Sequence, residues 1–209
     1  IIDNDNFHNY DFSSLNVITY GAAPMPISVL EESINKFKDA KFINAFGQTE
    51  TAATITSLGP DDHDISGTEE EKSKKLKRLT SIGKPLQDIE VRIVDENGEE
   101  VSVNIVGEIV AKGERIMSGY WNNDEATMNA IKNGWLHTGD LGYRDEGGYI
   151  FLAGRAKDFI KRGGEMISPE EIEQILYRHP DVEEVAVIGL PNIQWGEIVT
   201  AVVKCKKDK

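Results

Sequence analysis

Apolar residues in the first sixty positions alternate between short runs and a helical period. Val17-Ile18-Thr19-Tyr20 is an apolar run of strand length. After Gly21-Ala22-Ala23-Pro24, the residues Ile27, Leu30, Ile34 and Phe37 recur at i, i+3, i+7 and i+10, which is one face of a helix. Lys41-Phe42-Ile43-Asn44 predicts a second strand. Strand, helix and strand at this spacing predict a βαβ unit and a parallel sheet.

The texture then changes twice. Between residues 59 and 80, Gly59-Pro60 breaks the pattern, and acidic runs (Asp61 to Asp64, Glu69 to Glu71) precede Lys72, Lys74, Lys75, Lys77 and Arg78. This predicts a solvated surface loop with one salt-bridged helical turn, and no function is assigned to it. From Ile89 to Leu152, short β-rich runs are broken by turn signals such as Asn97-Gly98, predicting an antiparallel β subdomain or barrel. One helix interrupts it near Asn123-Asp124, carrying Ala126, Met128 and Ile131. Beyond Gly154-Arg155-Ala156-Lys157, the run Ser168-Pro169-Glu170-Glu171 is a capping box with Pro at the first helical position. Ile172, Ile175 and Leu176 give that helix its apolar face, and 182–188 and 199–203 read as strands of a small α+β domain.

Charge narrows the function classes. With 36 acidic against 23 basic residues the net charge is -13, which repels a phosphate backbone, so nucleic acid is not an expected partner. No run of about 18 apolar residues predicts a membrane span. Cys205 is the only cysteine, so no internal disulfide can form; a reducing compartment, the cytoplasm, is expected. The chain opens on Ile1-Ile2 and stops at Lys209 just after the strand-like 199–203, so both ends read as cut.

Three clusters carry candidate chemistry. In Asn44-Ala45-Phe46-Gly47-Gln48-Thr49-Glu50-Thr51, a strand releases polar residues at its carboxyl edge, where open α/β sheets bind ligands. Glu50 can hold a hard cation and Thr49 can bond a phosphate oxygen; alternatively, Thr49 or Thr51 caps a polar turn. In Gly134-Trp135-Leu136-His137-Thr138-Gly139-Asp140-Leu141-Gly142, a lone carboxylate sits in a Gly-rich turn. It can accept both hydroxyls of a ribose, or close an Asx turn between strands. In Gly154 to Glu165, Arg155, Lys157, Lys161 and Arg162 with Gly163-Gly164 can form an anion-binding hinge, or a surface hairpin with solvated charges. The four histidines show no zinc spacing, and no hydrolase elbow, dinucleotide fingerprint or phosphate loop occurs. Trp121, Trp135 and Trp195 read as packing residues.

Together, Tyr20-Gly21-Ala22-Ala23-Pro24, Phe46-Gly47-Gln48-Thr49-Glu50, Gly107-Glu108-Ile109 continuing to Gly119-Tyr120-Trp121, Gly134 to Asp140 and Gly154 to Asp158 resemble the adenylate-forming superfamily. Its members include acyl-CoA synthetases, peptide-synthetase adenylation domains and firefly luciferase. The tail from Lys161 to Glu173 looks most like acyl- or aryl-CoA ligases. The resemblance implies an acyl-CoA synthetase fold: an α/β subdomain over 1–80, a β-rich, barrel-like subdomain over 81–154, a hinge at 155–158 and the first part of a small α+β domain over 159–209. It implies activation of a carboxylic acid, fatty or aryl, with ATP to an acyl-adenylate, releasing pyrophosphate, then transfer of the acyl group to CoA with release of AMP. The implied ligands are ATP/AMP, Mg²⁺ and CoA.

Residue by residue, the resemblance implies that Glu50 ligates Mg²⁺, Thr49 contacts the α-phosphate, and Gln48 belongs to the same nucleotide-binding motif. Phe46 would stack on adenine where relatives often carry Tyr. Gly21, Ala22 and Ala23 would border the adenine and acyl pocket, and Gly47 would leave that pocket space. Asp140 would hold the ribose hydroxyls and Arg155 assist at ribose or phosphate. Lys157 would be the hinge, Lys161 would face the site during thioester formation, and Gly163, Gly164 and Glu165 would line a pantetheine channel. The family's phosphate loop and adenylation lysine have no counterpart in these 209 residues, so the chain is expected to be inactive without the rest of its own polypeptide. Peptide-synthetase-type loading of a carrier protein, or a catalytically silent scaffold, are the alternatives.

Overall fold

The computed structural model describes Ile2, residues 4–23 and residues 25–206. Ile1, Pro24 and the terminal Lys207, Asp208 and Lys209, on which sequence readings fell, lie outside the described residues. The first sheet contains β1 (Val17–Gly21), β2 (Lys41–Phe46), β3 (Thr56–Leu58) and β4 (Lys84–Pro85) in that spatial order. β1 and β2 are parallel, with Tyr20 opposite Asn44 and Gly21 opposite Ala45. They are joined through α1 (Ile27–Lys36), the expected βαβ unit. The helical period has a direct consequence: Leu30 is buried with Phe42, Leu58 and Leu79, while Ile27, Ile34 and Phe37 pack around them.

Residues 59 to 80 depart from the solvated loop. Pro60–His63 form a 3-10 turn and α2 (Glu69–Leu79) is a full helix. Thr68 and Glu71 cap it reciprocally, the Thr68 hydroxyl accepting from the Glu71 N–H and the Glu71 carboxylate from the Thr68 N–H. Its few apolar residues suffice because Leu76 and Leu79 both reach the core. The charges before it are not all solvated. Asp62 accepts from Arg78 at 3.1 Å and from the Tyr149 hydroxyl at 2.6 Å, and the Arg78 guanidinium stacks 4.8 Å from the Tyr149 ring centre.

The second sheet has β5 (Ile89–Val94), β6 (Gly107–Gly113), β7 (Ile131–Lys132), β8 (Trp135–Arg144) and β9 (Ile150–Arg155), in the order β5-β6-β8-β7 with β9 on β8. α3 (Asp124–Ala130) precedes β7, its first turn capped by the Asn123 side chain. The Asn97-Gly98 turn is present, with Gly98 at φ +83. One expectation fails here: Gly134 lies in the turn before β8, but Trp135 to Gly142 do not form a turn. β8 runs through them with strict alternation, burying Leu136, Thr138, Asp140 and Gly142. The glycines hid a period of two that the side chains Leu, Thr and Asp already carried.

The third sheet has β10 (Ile160–Arg162), β11 (Glu165–Ile167), β12 (Val182–Asn192) and β13 (Gly196–Cys205), ordered β11-β10-β13-β12, each pair antiparallel. α4 (Pro169–Leu176) lies between β11 and β12 in sequence and begins as expected, with Pro169 in its first turn and the Ser168 hydroxyl accepting from the Glu171 N–H. This α/β architecture with a β-rich middle and a small α+β end is the expected fold class. The chain forms two compact units: Ile1–Val91 with Ala111–Leu136 and Arg144–Phe151, and Arg92–Val110 with His137–Tyr143 and Leu152–Lys209. Among the described residues, no helix is long and apolar enough to cross a membrane.

His63, assigned to a solvated loop from sequence, is only 4% exposed. Its Nδ1 lies 2.7 Å from the Gly59 carbonyl, which can only accept, so Nδ1 carries the proton and Nε2 accepts from the Tyr20 hydroxyl at 2.9 Å. Burial lowers the His63 pKa, against the opposing pull of the Gly59 carbonyl and Asp62. Burial also pushes the Tyr20 phenol up to about 12. An unfolded histidine takes its proton near pH 6.5, roughly, so below that value the unfolded chain binds more protons and stability falls with pH. The thermal transition of the folded protein should therefore drop between about pH 7 and pH 5, and His63→Gln should flatten that drop. An equally steep decline in the variant would clear His63 as the source.

Candidate active site

Two groups of candidate residues are described separately, one in each unit. In the first, β2 ends at Phe46, Gln48 is extended (φ -135°, ψ 169°), and Thr49–Thr51 close a 3-10 turn. The buried Thr51 ties that turn: its hydroxyl accepts from the Gln48 N–H and donates to the Gln48 carbonyl, both at 2.9 Å. The capping alternative is thus realised at Thr51, and it leaves Thr49 exposed and Glu50 half-buried on the turn's outer side. Because the turn is closed by a contact three residues long, these two side chains project from a locally fixed backbone.

Glu50 has a partner that sequence reasoning missed. Its Oε1 accepts from the Tyr120 hydroxyl at 2.9 Å, and its main-chain carbonyl accepts from the Met117 N–H at 2.8 Å. The hydrogen bond to the Glu50 carboxylate raises the Tyr120 pKa above the ordinary phenol value. Thr127 of α3 holds the Tyr120 N–H at 2.9 Å, so a helix anchors the loop that carries the phenol. Nothing in the sequence links positions seventy apart; the Gly119-Tyr120-Trp121 run marked the segment without assigning a role.

Glycines and strained alanines frame this turn. A Cβ at Gly21 would collide with the Ala45 carbonyl on the neighbouring strand, and one at Gly47 with the Ala53 carbonyl. The space that the missing Gly47 side chain leaves, expected from sequence to belong to a pocket, is occupied by the Ala53 backbone. Ala22 (φ +66°), Ala52 (φ +49°) and Ala53 (φ +80°) all adopt left-handed conformations, each costing on the order of 1 kcal/mol or more. Ala23 is exposed and Phe46 half-buried.

In the second unit, Asp140 lies on the buried face of β8 with its side chain only 10% exposed, and Arg155 at the end of β9 donates from Nε to its Oδ1 at 2.8 Å. A carboxylate so deep must be compensated, and a guanidinium fork does so while remaining 44% exposed itself. Asp140 lies within a strand and not in a turn between strands. Lys157 is exposed in the turn after β9, where the Asp158 N–H bonds the Arg155 carbonyl at 2.9 Å. Lys161 and Glu165 are exposed on the β10–β11 hairpin, whose register pairs Arg162 with Glu165 and leaves Gly163-Gly164 as a two-residue turn. Their φ values of +62° and +91° are those such a turn demands. Trp195 packs below Gly163 and beside Arg162, its ring centre 4.7 Å from the guanidinium. Residues 160–167 thus form a hairpin, with Lys161 and Glu165 exposed on it.

No group of three or more His, Cys, Asp or Glu able to hold a metal occurs among the described residues. A lone carboxylate such as Glu50 still suits Mg²⁺, which takes one or two carboxylates and fills its shell with water and substrate phosphates.

Comparison with known proteins fits this geometry. Residues 1–121 match the AMP-binding enzyme family and residues 171–209 the AMP-binding enzyme C-terminal domain, so the chain belongs to the AMP-binding enzymes. It is 39% identical, over 97% of its length, to the medium/long-chain-fatty-acid–CoA ligase of Mycobacterium tuberculosis, of which it covers 34%. An amide bond synthetase from Marinactinospora thermotolerans superposes over the whole chain with a TM-score of 0.87 and 33% identity, 40% of that protein being covered. The o-succinylbenzoate CoA synthetase of Bacillus subtilis, solved with its acyl-adenylate intermediate, matches 94% of the chain at a TM-score of 0.79 and 34% identity, 37% of that protein being covered. The chain thus spans about a third of the length of the curated relatives it matches.

The glycine geometry gives a stability test. Gly47→Ala should cost more than 2 kcal/mol, roughly, because backbone must move, whereas Gly164→Ala, with open space around it, should cost only about 1 kcal/mol for its φ. Denaturant titration of both variants measures the gap, and equal costs would remove the steric account of Gly47.

Proposed function

We propose that the chain is part of an AMP-forming acid–CoA ligase, which activates a fatty or aryl carboxylic acid with ATP and passes the acyl group to CoA. The observation that carries this reading is Asp140: a nearly buried carboxylate, held by a guanidinium, in a chain of the AMP-binding family. An ionised carboxylate accepts through two oxygens, which suits the adjacent hydroxyls of a ribose. Thr49 and Glu50 suit the phosphate end: the exposed hydroxyl donates to an α-phosphate oxygen, and the carboxylate holds Mg²⁺ on exchanging its bond with Tyr120. Bound there, Mg²⁺ would supply charge neutralisation to the phosphates. Phe46 offers an adenine a stacking face, and Gly21, Ala22, Ala23, Gly47 and Gln48 supply close-lying backbone around it. No residue of the chain needs to act as a covalent nucleophile, because positioning and charge neutralisation supply most of the rate.

The thioester half-reaction falls to residues 157–165. Lys157 acts as hinge within 155–158, Lys161 approaches the site after rotation, and Gly163, Gly164 and Glu165 border the CoA arm. The division into 1–80, 81–154 and 159–209 belongs to the same proposal, as does a cytoplasmic setting. A second reading is favoured by the amide bond synthetase likeness: the acceptor is then an amine in place of a thiol.

Pyrophosphate exchange in the full-length protein, over a panel of carboxylic acids, tests adenylation. Glu50→Gln should lower it about a hundredfold and Asp140→Ala should raise KM for ATP about tenfold or more. Unchanged rates in both would favour a silent scaffold. The 209-residue chain alone should show no exchange, and robust turnover by it would contradict the need for the missing phosphate loop and lysine. Competition among CoA, a phosphopantetheinylated carrier and simple amines then identifies the acceptor.

A further inference from the structure

The run Gly107-Glu108-Ile109 takes no part in the reaction as proposed, yet Glu108 of β6 makes two bonds to the segment of β8 that carries Asp140. Its Oε2 lies 2.7 Å from His137 Nδ1, and its Oε1 accepts from the Gly139 N–H at 3.1 Å. A carboxylate only accepts, so Nδ1 bears the hydrogen. Between these anchors, the Thr138 hydroxyl donates to the Ile109 carbonyl at 2.7 Å and accepts from the Asp140 N–H at 3.1 Å. From the other side, the Ala156 N–H donates to the Gly139 carbonyl at 3.0 Å.

What these bonds hold is a bend. Gly139 has φ +73° inside a strand, where extended residues have negative φ. A Cβ at Gly139 would meet nothing within 4 Å, so packing does not require glycine here; the backbone angle does. The bend immediately precedes Asp140, and any relaxation of it towards regular extension would swing the Asp140 carboxylate. Charge-assisted bonds from one carboxylate to residues 137 and 139 are the strong kind, suited to holding a strained angle.

We propose that Glu108 is a positioning residue for nucleotide recognition: it clamps the Gly139 bend, so that the Asp140 carboxylate is presented to the vicinal hydroxyls of a ribose. This rests on the reading of Asp140 given above. Glu108 does not touch the nucleotide; its effect appears only in how well the diol is read.

The test is calorimetric binding of AMP and of 2′,3′-dideoxy-AMP to the full-length protein. The unaltered protein should prefer AMP by about tenfold or more, the value of one charge-assisted hydrogen bond. Glu108→Ala should bring that ratio close to one while leaving dideoxy-AMP affinity unchanged. Glu108→Gln, whose amide oxygen still accepts from Gly139, should keep most of the preference. Gly139→Ala, which strains the bend with Glu108 in place, should lose preference in the same direction and serves should Glu108→Ala fail to fold. A preference retained in the folded Glu108→Ala or Gly139→Ala protein, or a loss shared equally by both nucleotides, overturns the inference. A preference retained in Asp140→Ala, or absent from the unaltered protein, instead overturns the reading of Asp140 and the clamp with it.

Discussion

A carboxylate drawn out of water must be met by donors, and the arrangement of this chain follows from where it places four of them. Asp140 is met by Arg155, Glu50 by Tyr120, Glu108 by His137 and the Gly139 N–H, and Asp62 by Arg78 and Tyr149. In each case the acid and at least one donor lie on different elements, so satisfying the charge also fixes one element against another. The bond is thus both a solvation device and a structural tie. The acids differ in depth: Asp140 is nearly buried, whereas Glu50 remains accessible on the outside of its turn. Depth suits a fixed recognition role and accessibility suits exchange of one partner for another.

Legibility in the sequence tracked the range of the contacts. The βαβ unit, the Ser168 cap, the helix start near Asn123-Asp124 and the Asn97-Gly98 turn depend on residues within a few positions of one another, and all could be read directly. α2 was underread because its apolar positions are few and its charges many. Its Thr68–Glu71 box was nevertheless available as a signal. β8 was misread for the opposite reason: glycines suggested a turn, while the alternating Leu136, Thr138 and Asp140 already encoded a strand. His63 could not be recognised as buried, since its partners Tyr20 and Gly59 meet it only through the sheet.

The candidate site divides the same way. Thr49, Glu50, Asp140 and Arg155 were singled out as polar residues at strand ends or beside glycines, and the structure gives each a definite place. Tyr120 and Glu108 lie in sequence motifs that give them no role, because each acts through a bond to a distant residue. Gly47 was read as open space, yet the Ala53 backbone fills it. A missing side chain in a sequence says that something approaches closely; it does not say whether that is a ligand or the chain itself.

The Thr49–Thr51 turn is closed by Thr51 across three residues, but the phenol that orients Glu50 arrives seventy residues later. Loop closure over that span is costly until the intervening elements have packed. The turn can therefore form early, whereas the oriented carboxylate is a product of late assembly. An incompletely folded chain displays the motif without the directed acid, so the fixed orientation of that carboxylate is gained only together with the tertiary fold.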